Sequence, residues 1–161
     1  MGELGERLGR VLRAGDLVIL TGPLGAGKTT LTRGIGAGLG VRGPVQSPTF
    51  VLARTHPSLV GGAPLVHVDA YRLGGSEELD DLDLDFEGSV VVAEWGAGIV
   101  ETRSDWLEIT IERPIGAESA GEEPAVGAEA DPSEDWAEAR DEPRTVTITA
   151  YGSRWNRGVL E

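Results

Sequence analysis

Of the 14 basic residues in this chain, 13 are arginine and one, Lys28, is lysine. That lysine lies inside Gly22-Pro23-Leu24-Gly25-Ala26-Gly27-Lys28-Thr29, which has the spacing G-x-x-x-x-G-K-[ST] of a phosphate-binding loop. Each residue type has a physical reason to be there. Glycines let successive backbone N–H groups curl around phosphate oxygens. A compact ammonium on a thin stem fits within such a loop, whereas a planar guanidinium fork does not. Thr29 offers a hydroxyl to a Mg²⁺ ion bridging the β- and γ-phosphates of a nucleotide. The chemistry implied is the holding of a metal-bound nucleoside phosphate.

The loop needs a strand before it and a helix after it, and the flanking sequence supplies both. Residues 16–21 read as a short buried strand, with Gly15 and Asp16 as the turn that leads in. Residues 29–39 read as a helix, because Leu31, Ile35 and Leu39 recur every four residues on one face. Its first turn aims N–H groups and the positive end of the helix dipole at the phosphates. A glycine-rich turn that binds nothing is the bland alternative, and an eight-residue match set between strand and helix argues against it.

Two acids fall where an open α/β sheet binds its ligand, at the carboxyl ends of strands. Asp69 closes an apolar run over residues 64–69, the place of a Walker-B acid that holds Mg²⁺ or its water shell. Glu94 ends the most convincing central strand, residues 88–95, whose three consecutive valines suit burial on both faces. It is placed to serve the metal shell or to orient an attacking water. Trp95 follows directly, either packed in the core or against the nucleotide.

The remaining elements follow in order. Residues 3–13 suit an amphipathic helix with Leu4, Leu8, Val11 and Leu12 on one side, and 49–54 suit a strand after the Gly43–Pro48 loop. Residues from His56 to Ala63 turn the chain, and Ser76 caps a short helix over 76–79. Residues 106–111 and 144–149 alternate apolar and polar, as a half-exposed pair of late strands should. The fold class expected is α/β, a single P-loop NTPase-like domain over 1–161 with a sheet-dominated core flanked by short helices.

At 161 residues the chain has room for one core. No apolar run approaches the roughly 20 residues a bilayer span needs, and residues 1–7 lack the order of a signal peptide, so a cytoplasmic protein is expected. With no cysteine, and with only His56 and His67 as imidazoles, a disulfide framework or zinc site is not expected. The net charge of −13 is local in origin. Ten of the 27 acids and one of the 14 bases, Arg140, lie in residues 116–142, and the rest of the chain carries only −4. That stretch of Ala, Gly, Glu and Pro reads as a disordered acidic insertion between the last two strands, with Trp136 either a docking anchor for a partner or a loosely packed surface aromatic. A nucleic-acid footprint should be a basic stripe, and none is present, so any RNA would be held by another subunit.

Gly22 to Thr30, Ser47-Pro48-Thr49-Phe50, His67-Val68-Asp69-Ala70-Tyr71-Arg72-Leu73 and Glu94-Trp95 occur in an order and spacing that resembles the TsaE (YjeE) family, over about residues 3–112 and weakly over 144–152. That family is the bacterial ATPase of tRNA threonylcarbamoyladenosine biosynthesis. The resemblance implies ATP on Gly22, Pro23, Leu24, Gly25, Ala26, Gly27, Lys28, Thr29 and Thr30, with Trp95 beside the nucleotide. It implies Mg²⁺ on Thr29, Glu94 and Asp69, and catalysis through Lys28, Asp69 and Glu94. It further implies a γ-phosphate-responsive switch at Ser47 and Thr49, a weak Mg²⁺-dependent ATPase activity, and two partner subunits, TsaB and TsaD, with tRNA met only through that complex and no membrane. Pro23 departs from the Asp more usual in the family, which stiffens the start of the loop without removing a needed side chain. The family's N-terminal segment often carries a threonine upstream of the first helix that helps hold the nucleotide; this sequence begins almost at that helix, so either that contact is missing or the true start lies further upstream, and the resemblance does not extend to 116–142.

Three rival readings are open to the same motif; one, a purely structural nucleotide-binding subunit, differs from a weak ATPase mainly in rate. A Ras-like GTPase needs a second lysine in N-K-x-D, which the chain lacks, and Asp85-Phe86-Glu87-Gly88 matches D-x-x-G only by coincidence. A small-molecule kinase of the P-loop class is the stronger rival, but its arginine-bearing lid would have to come from a stretch that is acidic here. Arg72, Arg144 and Arg154 are read as partners of surface acids rather than of phosphate.

Overall fold

The uninterrupted apolar runs Leu17-Val18-Ile19-Leu20 and Val90-Val91-Val92-Ala93 have no face to give to water, and each becomes a central strand. A computed structural model describes residues 1–48, 51–73, 77–78, 81–96, 100, 103–113 and 143–160. Among them run α1 (Gly2–Val11), β1 (Leu17–Thr21), α2 (Lys28–Leu39), β2 (Ala53–His56), β3 (Leu65–Asp69), β4 (Val90–Glu94), β5 (Trp106–Glu112) and β6 (Thr145–Tyr151). The six strands form one sheet in the order β2-β3-β4-β1-β5-β6. β3, β4, β1 and β5 are mutually parallel, while β2 and β6 run antiparallel at the two edges. The expected α/β fold is therefore present, built on a mixed sheet with its P-loop strand at the centre.

Strand alternation divides the core in two. Val18 and Leu20 of β1, Val90 and Val92 of β4, and Leu107, Ile109 and Ile111 of β5 face the helices, where Leu8, Leu31 and Ile35 meet them. Leu17, Ile19, Val66, Val68, Val91 and Ala93 face the other way and are covered by Leu73, Leu82, Leu84, Phe86 and Val100. Among the described residues, helix covers one face and irregular chain the other.

α1 reaches the sheet across α2 at unusually short range. A Cβ added to Gly5 would lie 2.8 Å from the Gly34 Cα, and one added to Gly34 would lie 2.9 Å from the Gly5 Cα. Gly9 and Gly38 repeat the arrangement one turn on, at 2.8 and 2.9 Å. Helix separation is set by the side chains at the crossing, and here there are none, so backbone lies on backbone. The apolar stripe anticipated for residues 3–13 is present in Leu8 and Leu12, both buried, but the glycine seam beside it was not anticipated.

Other differences are local. The strand expected over 49–54 lies instead at Ala53–His56, with Ala53 opposite Val68 and His56 opposite Leu65. Its position is set by pairing with β3, which the sequence of the segment alone does not encode, and His56 is a buried strand residue rather than the start of a turn. The late pair forms as expected, β5 against β6 from Trp106 opposite Tyr151 to Glu112 opposite Thr145. Asp85 Oδ1 accepts a 2.8 Å hydrogen bond from the Gly88 N–H, so the D-x-x-G match is a turn. Glu77 and Glu78 are helical, but Ser76, Thr49, Trp136 and the 116–142 insertion lie outside the described residues. No helix among the described residues is long and apolar enough to cross a membrane.

Candidate functional site

β1 delivers the chain into the loop at Thr21, and α2 takes it out at Lys28. The turn between them requires left-handed backbone: Gly27, which caps α2, has φ 110°, a conformation that costs glycine little and other residues more. Lys28 is only 7% exposed. Its Nζ donates to the Gly22 carbonyl at 2.8 Å and the Pro23 carbonyl at 3.1 Å, folding the ammonium back over the loop that carries it. Thr29 is half-buried and Thr30 exposed in the first turn of α2. Pro23, Leu24 and Gly25 are exposed, and Ala26 is packed into the core.

The register of the parallel strands brings the two acids to this end of the sheet. Glu94 pairs with Leu20 of β1 on one side and with Asp69 of β3 on the other, so both carboxylates stand level with the last turn of chain before the loop. They do not stand alike. Asp69 Oδ2 lies 3.5 Å from Arg72 Nε in a partly exposed ion pair. An exposed pair of this kind holds less than about 1 kcal/mol, so Asp69 is free to exchange it for a stronger partner. Glu94 is held more firmly. Its Oε1 accepts a 3.0 Å hydrogen bond from Nε2 of His67, which is fully buried.

His67 had no role assigned beyond the argument against zinc. The alternation of β3 could have shown it, because residues 65, 67 and 69 share the face that carries Glu94. Burial, and then the neighbouring His67 imidazole, hold the pKa of His56 below its ordinary value of 6.5, which leaves that side chain uncharged near neutral pH.

Trp95 leaves β4 with φ 61°, an uncommon conformation for a bulky residue and one found at constrained functional positions. Its N–H donates to the Leu20 carbonyl at 3.0 Å, and the turn leaves the indole 42% exposed. The Lys28 ammonium lies 5.0 Å from the indole centroid, and the Tyr71 ring packs beside it at 6.1 Å. Lys28, Glu94 and Trp95 are thus brought together. Ser47 sits half-buried in the loop that Arg33 Nε holds by a 3.0 Å hydrogen bond to the Val45 carbonyl.

The three arginines separate. Arg72 pairs with an acid, as expected, but the acid is Asp69 of the candidate site and not one elsewhere on the surface. Arg154 lies at the other end of the sheet, where Nη2 and Nε grip Asp16 at 3.1 and 3.2 Å and Nη2 also reaches the Val11 carbonyl at 3.0 Å. Arg144 differs: its Nε is buried with no hydrogen-bond partner among the described residues, and its guanidinium lies against Gly27.

Among the described residues no three carboxylate or imidazole groups converge to cage a cation. A Mg²⁺ ion brought in with a nucleotide would take oxygen donors, and the Thr29 hydroxyl and the strand-end carboxylates of Asp69 and Glu94 are of that kind. The residues present fit such a group.

Residues 1–119 match the profile of a family described as threonylcarbamoyl adenosine biosynthesis protein TsaE. The chain is 55% identical over 159 residues to the tRNA threonylcarbamoyladenosine biosynthesis protein TsaE of Streptomyces coelicolor, covering 96% of this chain and 93% of that one. It is 35% identical over 148 residues to the protein of the same name from Bacillus subtilis, covering 89% and 75%. The crystal structure of Bacillus subtilis YdiB superposes with a TM-score of 0.60 at 30% identity, over 95% of this chain and 80% of that chain.

Proposed function

The chain belongs to the TsaE family of tRNA threonylcarbamoyladenosine biosynthesis proteins, and from that premise we propose that it is a cytoplasmic, Mg²⁺-dependent ATPase that hydrolyses ATP slowly to ADP and phosphate. Its partners are the TsaB and TsaD subunits. TsaD transfers the threonylcarbamoyl group to the adenosine 3′ to the anticodon in tRNAs that read codons beginning with A, and ATP hydrolysis here resets the complex between turnovers.

The observation that carries this reading is the buried ammonium of Lys28, held at 2.8 and 3.1 Å by the carbonyls of its own loop at the start of α2. Those are neutral acceptors. A phosphate oxygen is charged, and charge-assisted bonds are roughly twice as strong, so Lys28 would leave the carbonyls for a phosphate. Gly25 and Gly27 would offer backbone N–H groups, Thr29 and Thr30 stand at the positive end of the helix dipole, and Trp95 closes one side. When bound, Mg²⁺ supplies positive charge that polarises the phosphoryl oxygens. Thr29 and Asp69 would hold it, with Asp69 released from Arg72. Glu94, fixed through one oxygen by His67, keeps the other to orient water or to join the metal shell. Ser47 and Thr49 would respond to the terminal phosphate.

Calorimetry with ATP and Mg²⁺ tests the reading directly. Lys28→Ala is expected to lower affinity by more than about 100-fold, the scale of a lost charge-assisted contact in a buried site. Glu94→Ala is expected to keep most of the affinity and to lose about 10²-fold in phosphate release, the lower end of what a positioned base contributes. Wild-type protein that gives no heat overturns the proposal. Equal loss of affinity in the two variants makes Glu94 a binding residue, and rapid transfer to a metabolite favours a kinase.

A further inference from the structure

The C-terminal hairpin brings a second cation to the loop. β5 runs parallel to β1 with Thr110 beside Thr21, so its end lies at the loop end of the sheet. Glu112 pairs with Thr145, which places the residues just outside that pair, Arg113 and Arg144, at the same end. Both side chains reach the loop: a Cβ built on Gly25 would lie 3.7 Å from Arg113 Nη1, and one built on Gly27 would lie 2.9 Å from Arg144 Nη1. Gly27 is the residue before Lys28 and the cap of α2, so Arg144 lies against the backbone that a phosphate would approach.

Arg144 also carries an unmet demand. Its Nε is buried with no hydrogen-bond partner among the described residues, and an unsatisfied donor of a charged group is among the costlier features a fold can keep. Arg72 and Arg154 show what the chain does with arginines that serve structure, since each is in an ion pair. We propose that Arg144 is a phosphate-binding residue, its guanidinium contacting the polyphosphate of the nucleotide held by residues 22–29. This rests on the reading of that loop as an ATP site and adds to it a cation from a separate element. The division of labour follows from shape: an ammonium fits inside the loop, whereas a planar fork with paired donors suits an approach from outside.

The test compares wild type, R144A and R144K by calorimetry with MgATP, by competition with magnesium tripolyphosphate as a base-free probe, and by melting without nucleotide. For R144A the affinity for ATP falls about 10- to 100-fold, the range of one charge-assisted contact, and that for tripolyphosphate falls by a similar factor. R144K recovers part of both, and without nucleotide neither variant melts below wild type, because the buried donor that is lost had no partner to lose. Unchanged ATP affinity in R144A overturns the inference while leaving the ATP site standing. So does a loss of affinity that tracks a lower melting temperature and is not relieved in R144K, because that marks a structural contact. A wild type that binds neither probe overturns the ATP reading itself, and this inference with it.

Discussion

Glycine does two different jobs in two regions a few residues apart. In the seam between α1 and α2, Gly5 and Gly34 are absent side chains: their value is the space that lets two backbones touch. In the loop, Gly27 is a backbone conformation: φ 110° at the cap of α2, next to the lysine that would meet a phosphate. The first kind should be read out in stability and the second in ligand affinity. A single added methyl tells them apart.

The largest effect is expected at Gly27. Gly27→Ala forces an L-residue into left-handed backbone and pushes a methyl toward Arg144 Nη1. The strain costs about 1–2 kcal/mol, but ATP affinity measured by calorimetry should collapse by more than about 100-fold as the N–H at the cap is displaced. Retained affinity would show that the loop tolerates a different path. Gly34→Ala comes next. The new methyl would strike the Gly2 carbonyl oxygen and lie 2.9 Å from the Gly5 Cα, and both are backbone atoms that cannot swing aside. Overpacking costs about 1–3 kcal/mol, while alanine returns at most about 1 kcal/mol of helix propensity. Urea unfolding should therefore show a net loss of about 1–2 kcal/mol, with the folded fraction still binding ATP as wild type does; a stabilised Gly34→Ala would mean that the helices can separate freely. The smallest effect belongs to Gly2→Ala at the start of α1, where a Cβ meets nothing within 4 Å. Its unfolding midpoint should stay put or rise slightly, and a clear fall would extend the seam to the start of α1.

The sequence disclosed what is local and concealed what depends on distant partners. The loop, the strand before it, the helix after it and the valine strand are each specified by a few adjacent residues, and all stand where expected. β2 is displaced because β3 chooses its register, and nothing within 49–54 says where that pairing begins. Gly5, Gly9, Gly34 and Gly38 read only as poor helix formers until two helices are laid side by side. The His67–Glu94 contact spans two strands, and the approach of Arg144 to Gly27 follows from a hairpin pairing. Asp69 and Glu94 could be placed at strand ends from sequence, but not the fact that one is held by a surface arginine and the other by a buried imidazole.

The 5.0 Å approach of the Lys28 ammonium to the Trp95 indole has an optical consequence. Indole emission is sensitive to a nearby charge, and among the other described tryptophans Trp106 is stacked on Tyr151 and Trp155 lies under Arg154. If Lys28 swings from its carbonyls to a phosphate, the brightness or colour of Trp95 should change, so that occupancy could be followed in real time without an attached dye. Emission that stays flat as ligand saturates would mean that the lysine never leaves.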